Sequence, residues 1–233
     1  MTALETLVSG LAGGSVRIID LTHTLDPDFP VIVLPPEFNQ CARFRMEEIS
    51  AYDHRGPAWK WHNISMSEHT GTHFDAPSHW ISGRDVPRGS VDEIPIEAFV
   101  GPVVVIDCSS GAAENEDFEL TPGIIAGWEA EHGEIPEDAW VLMRTDWSKR
   151  SGADYLNMRE DGPHSPGPTP DGIRFLIEER KFAALEPKRS VPMPVRALIM
   201  CRPIRRIFTC TAPGNTVCSV LQTWISFLQP VPY

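Results

Sequence analysis

Short apolar runs, separated by residues that favour turns, dominate the hydropathy pattern of this chain. Two continuous runs, Val100–Cys108 and Trp140–Thr145, are typical of buried strands, and Val16–Leu21 predicts a third, shorter strand. Apolar and polar residues alternate over Ala42–Ile49 and Trp61–Ser67, which predicts strands with one covered face. The pattern therefore predicts a domain rich in strands.

Two helices are predicted by one local signal, a threonine followed by a proline. Thr121 can cap a helix whose first residue is Pro122, and Gly133 predicts its end after His132. Thr169 and the proline after it predict a second helix, which runs to about residue 180. Many strands with few helices indicate an α/β or β-rich mixed domain, and 233 residues suffice for one sizeable domain.

The segment 69–80 brings three imidazoles and one carboxylate together, with a glycine and a proline between them. His69, His73 and Asp75 share two-residue parity, so on a strand all three would face one side. His79 continues that parity, but the proline before it leaves its direction open. Imidazole and carboxylate together suit Zn²⁺ or Mn²⁺, so the segment predicts a metal site. A chance cluster of surface histidines is the alternative.

The segment HTGTHFDAPSHW resembles the signature of the cyclase family of metal-dependent hydrolases, which includes bacterial kynurenine formamidases and isatin hydrolases. Further segments that resemble this family are Asp20–Leu25, Arg55–Trp59, Leu142–Trp147 and His164–Thr169, and together they cover about residues 15 to 180. The resemblance implies an α/β fold, the swivelling β/β/α domain of the family, with a central β-barrel-like sheet flanked by helices.

The resemblance also implies roles for individual residues. His69, His73 and Asp75 match the family's first metal set, and His79 matches the histidine used as acid/base or as a ligand to a second metal. Weaker matches suggest a substrate pocket walled by three further side chains: His23, Trp59 and Trp80. A hydrogen-bonded structural role for His23, and core roles for the tryptophans, are the alternatives.

The resemblance implies a function as well: a metal-bound water hydrolyses the C–N bond of an amide, a formamide or a cyclic amide. Such an ion lowers the pKa of its water from about 15.7 toward about 7. An arylformamidase-like enzyme of tryptophan catabolism, with a small-molecule substrate and a homo-oligomeric assembly, is the expectation. An inactive product that retains the metal motif, or a metal-binding protein without catalysis, is the alternative.

Composition narrows the cellular setting. A formal charge of −12 argues against nucleic acid as the main partner. No run of about 18 apolar residues predicts a membrane span, and the first residues lack the basic start of a signal peptide, so the cytoplasm is the expected compartment. The five cysteines form no tight metal pair and are interpreted as free thiols.

The charge changes sign near residue 181. Residues 181–233 carry seven basic side chains against one acidic, a net +6, so the first 180 residues carry −18. The resemblance to the family stops at the same place. We therefore divide the chain into a truncated cyclase-like domain, residues 1–180, and a basic, Pro- and Arg-rich tail, residues 181–233.

Back-translation suggests an origin for this tail. The family normally continues into a glycine-rich strand that resembles GFGTETVGTDAGQ. With permitted codons shifted by one position, Leu185–Arg196 can read GTETVGTDAGQ, and Arg196–Thr216 can read GAHYVPPYPAHLYMHGAGKYG. The hypothesis is a frameshift near Lys181–Ala184, and a genuine divergent basic tail is the alternative.

Overall fold

The computed structural model describes residues 2–34, 36–79, 90–137 and 139–180. Its helices are α1 (Ala3–Ala12), α2 (Ser109–Glu114), α3 (Pro122–His132), α4 (Gly152–Leu156) and α5 (Pro170–Glu178). Its strands are β1 (Arg45–Asp53), β2 (Gly56–Ser65), β3 (Val103–Asp107), β4 (Glu119–Leu120), β5 (Trp140–Arg144), β6 (Met158–Arg159), β7 (Gly162–Pro163) and β8 (Gly167–Pro168).

The core forms where the parallel pair β3–β5 meets helices α3 and α5. Val103 to Asp107 pair in register with Trp140 to Arg144. The apolar side chains that this arrangement buries, all at most 4% exposed, are Ile106, Cys108, Leu120, Ile125, Ile135, Ala139, Val141 and Leu176. Strand β3 is covered on one face only, because Val103 and Val105 remain 56% and 47% exposed.

The two predicted capping signals are confirmed. The Thr121 side chain accepts a hydrogen bond from the backbone N–H of Ile124, and Thr169 does the same for Gly172. Helix α3 ends at Gly133, whose φ of 90° lies in the region that favours glycine. An ion pair joins helix α3 to the residues that follow α5, since Arg180 Nε lies 2.6 Å from Glu129 Oε1.

The long hairpin β1–β2 leads directly into the predicted metal segment. It is antiparallel, with Met46 opposite Ile64 and Ala51 opposite Lys60. Strand β1 begins three residues later than the alternation predicted, and strand β2 begins five residues earlier. Two register shifts interrupt the pairing of the two strands. The hairpin presents several apolar side chains to solvent, among them Trp61 at 54% exposure.

The barrel-like sheet is not shown. Within the described ranges the strands form four separate two-stranded pairings: β1–β2, β3–β5, β4–β8 and β6–β7. Each strand there has one partner, so the sheet does not close. The α/β content agrees with the prediction, and the tail that begins at residue 181 lies outside the described residues.

One expectation near the start of the chain is corrected, and one helix there was not predicted. Val16–Leu21 is not a strand: Ile18 and Ile19 are 83% and 66% exposed, and no strand within the described ranges pairs with this segment. Helix α1 was not predicted, although Thr2 and Glu5 form a capping box at its start. No helix in the described ranges is long and apolar enough to cross a bilayer. Among the described residues, Cys41 and Cys108 are not joined in a disulfide bond.

Candidate metal centre

The metal turn, which we define as residues 69–79, follows the end of β2. Its sharp bend depends on Gly71, which has φ of 69°. A Cβ atom at this position would also lie only 2.6 Å from Leu25 Cδ2, so glycine satisfies both the backbone conformation and the packing. The turn ends in a short 3-10 helix, Pro77–His79. The parity argument is therefore wrong in its local structure, because the predicted ligand residues lie on a turn and not along a strand.

Asp75 is the centre of the cluster. Its side chain is 6% exposed, and its Oδ1 lies 2.8 Å from His69 Nδ1 and 3.2 Å from His73 Nε2. Despite these short distances, Oδ1 has no hydrogen-bond partner among the described residues. A buried carboxylate oxygen without a donor is costly unless a cation neutralises it. Two imidazole nitrogens close to this buried carboxylate oxygen therefore fit a site for a cation.

The tautomer of His73 supports the same interpretation. Its Nδ1 lies 2.8 Å from the carbonyl oxygen of Gly71. A carbonyl only accepts, so Nδ1 donates, and neutral His73 turns the lone pair of Nε2 toward Asp75. Histidine ligands are commonly oriented in this way, by a hydrogen bond from the ring nitrogen that does not face the metal.

His79 joins the same cluster. One ligand atom each from His69, Asp75 and His79 lies within 4.8 Å of the other two. His73 is not a member of this group, so the predicted set of His69, His73 and Asp75 is brought together only in part. The rings of His69 and His79 are 4.0 Å apart, centroid to centroid. The backbone N–H of His79 donates to the carbonyl of Ala76 across the 3-10 helix, which fixes the direction in which His79 leaves the chain. Pro77, which made the direction of His79 uncertain from the sequence, lies in this short 3-10 helix. The helix places His79 close to Asp75.

The electrostatics of the cluster favour a bound cation. The Asp75 carboxylate beside Nε2 raises the pKa of His73. Burial, the largest influence on Asp75, acts to raise its pKa, but the contact with His73 and the charges of His69 and His79 outweigh burial and lower it. Desolvation by the crowded surroundings, followed by repulsion from His69, lowers the pKa of His79.

Two contacts hold the metal turn against the rest of the domain. The backbone N–H of His23 donates to Thr72 Oγ1 at 3.1 Å. The ring of Phe74 meets the ring of Phe99 edge to face, with centroids 5.0 Å apart. The segment around His23 therefore lies against the turn, and a role of His23 in a substrate pocket stays a prediction.

The remaining residues singled out in the sequence, Trp59, Trp80 and His164, have different surroundings. The indole of Trp59 is 52% exposed on the hairpin and folds over Gly56, where a larger side chain would collide with it. Its role as a pocket wall stays a prediction, and Trp80 lies outside the described residues. His164 is a buried loop anchor: Nδ1 lies 2.6 Å from Asp117 and Nε2 lies 2.9 Å from Asp161.

Comparison with known proteins identifies the class. The model of the Cyclase family matches residues 19–186, which is more than half of the chain. The chain therefore belongs to the cyclase family. It is 47% identical over 182 residues to the isatin hydrolase of Roseibium aggregatum, a match that covers 77% of this chain and 69% of that protein.

Solved structures agree with the sequence match. Isatin hydrolase A from Labrenzia aggregata, bound to benzyl benzoate, is 89% identical with a TM-score of 0.75, over 77% of this chain and 70% of that one. An isatin hydrolase bound to the product analogue thioisatinate is 46% identical, with a TM-score of 0.74, over 77% and 71%. The kynurenine formamidase of Erythrobacter litoralis is more distant, 29% identical over 139 residues, 56% of this chain and 55% of that one.

Proposed function

We propose that this chain is built as a metal-dependent hydrolase that opens the C–N bond of a cyclic aryl amide of the isatin class. The buried Oδ1 of Asp75, surrounded by imidazole nitrogens but without a hydrogen bond, carries the metal part of this proposal. The substrate class is supported by the likeness to isatin hydrolases, at 89% identity in one solved structure. The ions that suit these ligands are Zn²⁺ and Mn²⁺.

The proposed ligands are His69, His73 and Asp75. A divalent ion held there would supply an activated water and polarise the carbonyl under attack. Asp75 contributes the negative charge that makes the cluster selective for a cation, and His73 is oriented by the carbonyl of Gly71.

His79 is the proposed acid/base residue. Its lowered pKa keeps the imidazole neutral near pH 7, ready to accept a proton from water. The same imidazole can then return that proton to the departing nitrogen. Water adds across the C–N bond in this reaction: the carbonyl carbon gains the hydroxyl group, the nitrogen gains the proton, and the ring opens to an amino acid. Because His79 also fits the ligand cluster, a role as a ligand to a second ion is the alternative.

Three other functions are open to test. Hydrolysis of an aryl formamide would follow the more distant kynurenine formamidases. An inactive product would follow if residues 181–233 replace family sequence that completes the site. A metal-binding protein without catalysis would keep the cluster but turn over neither substrate.

The direct experiment incubates the purified full chain, loaded with Mn²⁺ or Zn²⁺, with isatin and with an aryl formamide, and follows the products by chromatography. We expect ring opening of isatin to exceed formamide hydrolysis, and chelation or Asp75→Asn to abolish it. A chain with the alternative reading frame restored after residue 181 runs in parallel. If only the frame-restored chain is active, the present tail is the cause of the inactivity. If neither chain is active, the proposed substrate class is contradicted.

We also propose that the chain forms a homo-oligomer through the hairpin β1–β2. An isolated two-stranded hairpin is marginally stable, and this one exposes Trp59, Trp61 and Ile64. A second copy of the same surface would cover these side chains. Sedimentation of the full chain tests this: a dimer that Trp61→Lys converts to a monomer supports the proposal, and a monomeric parent chain contradicts it.

A further inference from the structure

The imidazole of His164 lies between two carboxylates. Its Nδ1 is 2.6 Å from Asp117 Oδ2, and its Nε2 is 2.9 Å from Asp161 Oδ1. The His164 side chain is 9% exposed, whereas those of Asp117 and Asp161 are 45% and 66% exposed. We call this arrangement of Asp117, His164 and Asp161 the His164 bridge. It joins a buried titratable ring to two carboxylates that water reaches.

The bridge favours one protonation state of the ring. A neutral imidazole has one N–H donor and one lone pair, so it can donate to only one of the two carboxylates. The other carboxylate would face the lone pair at hydrogen-bond distance. Because both carboxyl groups contact water, they are ionised near pH 7. The imidazolium donates to both, and such charge-assisted hydrogen bonds are the stronger kind.

The charged groups beside the bridge keep their charge in the neutral range. Glu116 accepts hydrogen bonds from Arg150 and Asn157, and these bonds lower the pKa of its carboxyl. Arg159 also pairs with Glu116, and an arginine side chain stays protonated. Among these described groups, His164 is the one whose charge can change near neutral pH.

The bridge connects three parts of the chain. Asp161 lies in the turn of the hairpin β6–β7, and Asp117 lies in the segment just before β4. The base of the hairpin is closed by Asn157 and His164: the backbone N–H of His164 donates to the Asn157 carbonyl at 3.1 Å, and Asn157 Nδ2 donates to the His164 carbonyl at 3.0 Å. The ring therefore ties the turn of the hairpin, and its base, to the neighbouring segment.

The hairpin directly follows helix α4, which contacts the support of the metal turn. The ring of Tyr155 in α4 meets the ring of His23 at 5.9 Å. The backbone N–H of His23 in turn donates to Thr72. The bridge therefore fixes the chain at the end of the helix that packs against this support.

We propose that the His164 bridge is a pH-sensitive latch, which the imidazolium closes and which opens at Asp161, its more exposed partner, when His164 loses a proton. The folded chain then binds this proton more strongly than the unfolded chain does. The latch stabilises the fold fully below about pH 6.5, the usual histidine value, and its contribution is lost as the pH rises through the higher value of the folded protein. This proposal does not depend on the proposed function.

The test uses the chain with its reading frame restored after residue 181. NMR of the histidine side chains between pH 5.5 and pH 9.5 gives the titration midpoint of His164, whose signal is assigned by its loss in His164→Gln. Hydrogen exchange, corrected for the intrinsic rate, gives the protection of the His164 backbone N–H over the same range. Asp161→Asn removes one carboxylate of the bridge. Asp92→Asn removes the same charge from the exposed 3-10 helix Val91–Glu93 and is the matched control.

We expect the midpoint of His164 to lie at least about one pH unit above the usual 6.5. It should be unchanged in Asp92→Asn and lower in Asp161→Asn. Protection of the His164 backbone N–H should fall by about tenfold as the pH rises through the midpoint.

Three results would overturn the proposal. A midpoint at or below about 6.5 would mean that the ring is neutral at pH 7. Equal midpoints in Asp161→Asn and Asp92→Asn would mean that the contact with Asp161 does not hold the proton. Protection that stays constant through the midpoint would mean that the bridge titrates without opening.

Discussion

The Nδ1 atom of His69 lies 2.8 Å from the Oδ1 atom of Asp75, yet no hydrogen bond joins them. The two residues are six positions apart and meet because the chain bends at Gly71, whose φ is 69°. A contact this short, without the geometry of a hydrogen bond, is expected where both atoms face one cation. The account of this protein as a metal-dependent hydrolase depends on that relationship.

The bend itself can be tested at Gly71. Gly71→Ala forces a side chain into a left-handed conformation and against Leu25, so the free energy of unfolding should fall by about 1 to 3 kcal/mol. Metal affinity should fall with it, because the turn carries the proposed ligands. Denaturant unfolding and metal titration measure the two effects.

Gly127 provides the matched control. It lies inside helix α3, where a Cβ atom would meet nothing within 4 Å. Gly127→Ala should therefore raise the free energy of unfolding by about 0.5 to 1 kcal/mol and leave metal affinity unchanged. If both variants changed stability in the same direction, the assignment of strain to Gly71 would be wrong.

His79 should serve chemistry more than metal affinity. In the chain with its reading frame restored, His79→Ala should lower kcat by about 10²- to 10⁴-fold, the range typical of a lost acid/base group. Metal content, measured by elemental analysis, should remain close to that of the parent. Parallel loss of metal and activity would make His79 an essential ligand instead.

The ion pair between Glu129 and Arg180 should make stability depend on pH. The hydrogen bond from Arg180 lowers the pKa of Glu129, so the pair stabilises the fold above the usual carboxyl range, and this contribution is lost as the pH falls through the lowered pKa. Glu129→Gln should lower the free energy of unfolding at pH 7 by about 1 to 3 kcal/mol. Between pH 7 and pH 3, the free energy of unfolding should fall less steeply with pH in the variant than in the parent. Equal slopes in the two proteins would contradict this assignment.

Local signals made some elements predictable from the sequence. The pairs Thr121–Pro122 and Thr169–Pro170 define helix starts within one turn of the chain, and both helices begin where predicted. The sequence also predicted a metal site in residues 69–79, because imidazoles and a carboxylate in one short segment suit a divalent ion. Their convergence was predicted for the wrong reason, since strand parity plays no part in it.

Long-range packing accounts for what the sequence did not reveal. The apolar run Val16–Leu21 matches a strand in composition, but a strand also needs a partner edge, which local pattern does not encode. The contact between His23 and Tyr155 joins residues more than 130 positions apart. The burial of His23 depends on Phe29 and Tyr155, so it could not be read from the local sequence.

The tail, residues 181–233, remains a prediction that the coding DNA can test. If a frameshift lies near Lys181–Ala184, the alternative frame should spell the glycine-rich strand, and correction by one nucleotide should recover solubility, metal binding and turnover together. The uncorrected chain should aggregate, because family strands that would cover apolar surface are replaced. A coding sequence whose alternative frame does not spell that strand would refute the hypothesis.

The most direct test of the metal centre is the metal content of the chain with its reading frame restored after residue 181, purified with Mn²⁺ or Zn²⁺ and freed of loosely bound ions. The parent chain and His54→Ala, which alters an exposed histidine of the hairpin, should retain at least one ion per chain. Asp75→Asn keeps the shape of the side chain but removes its charge, and it should retain almost none. Equal metal content in the parent and in Asp75→Asn would contradict the assignment of Asp75 as the centre of a metal site.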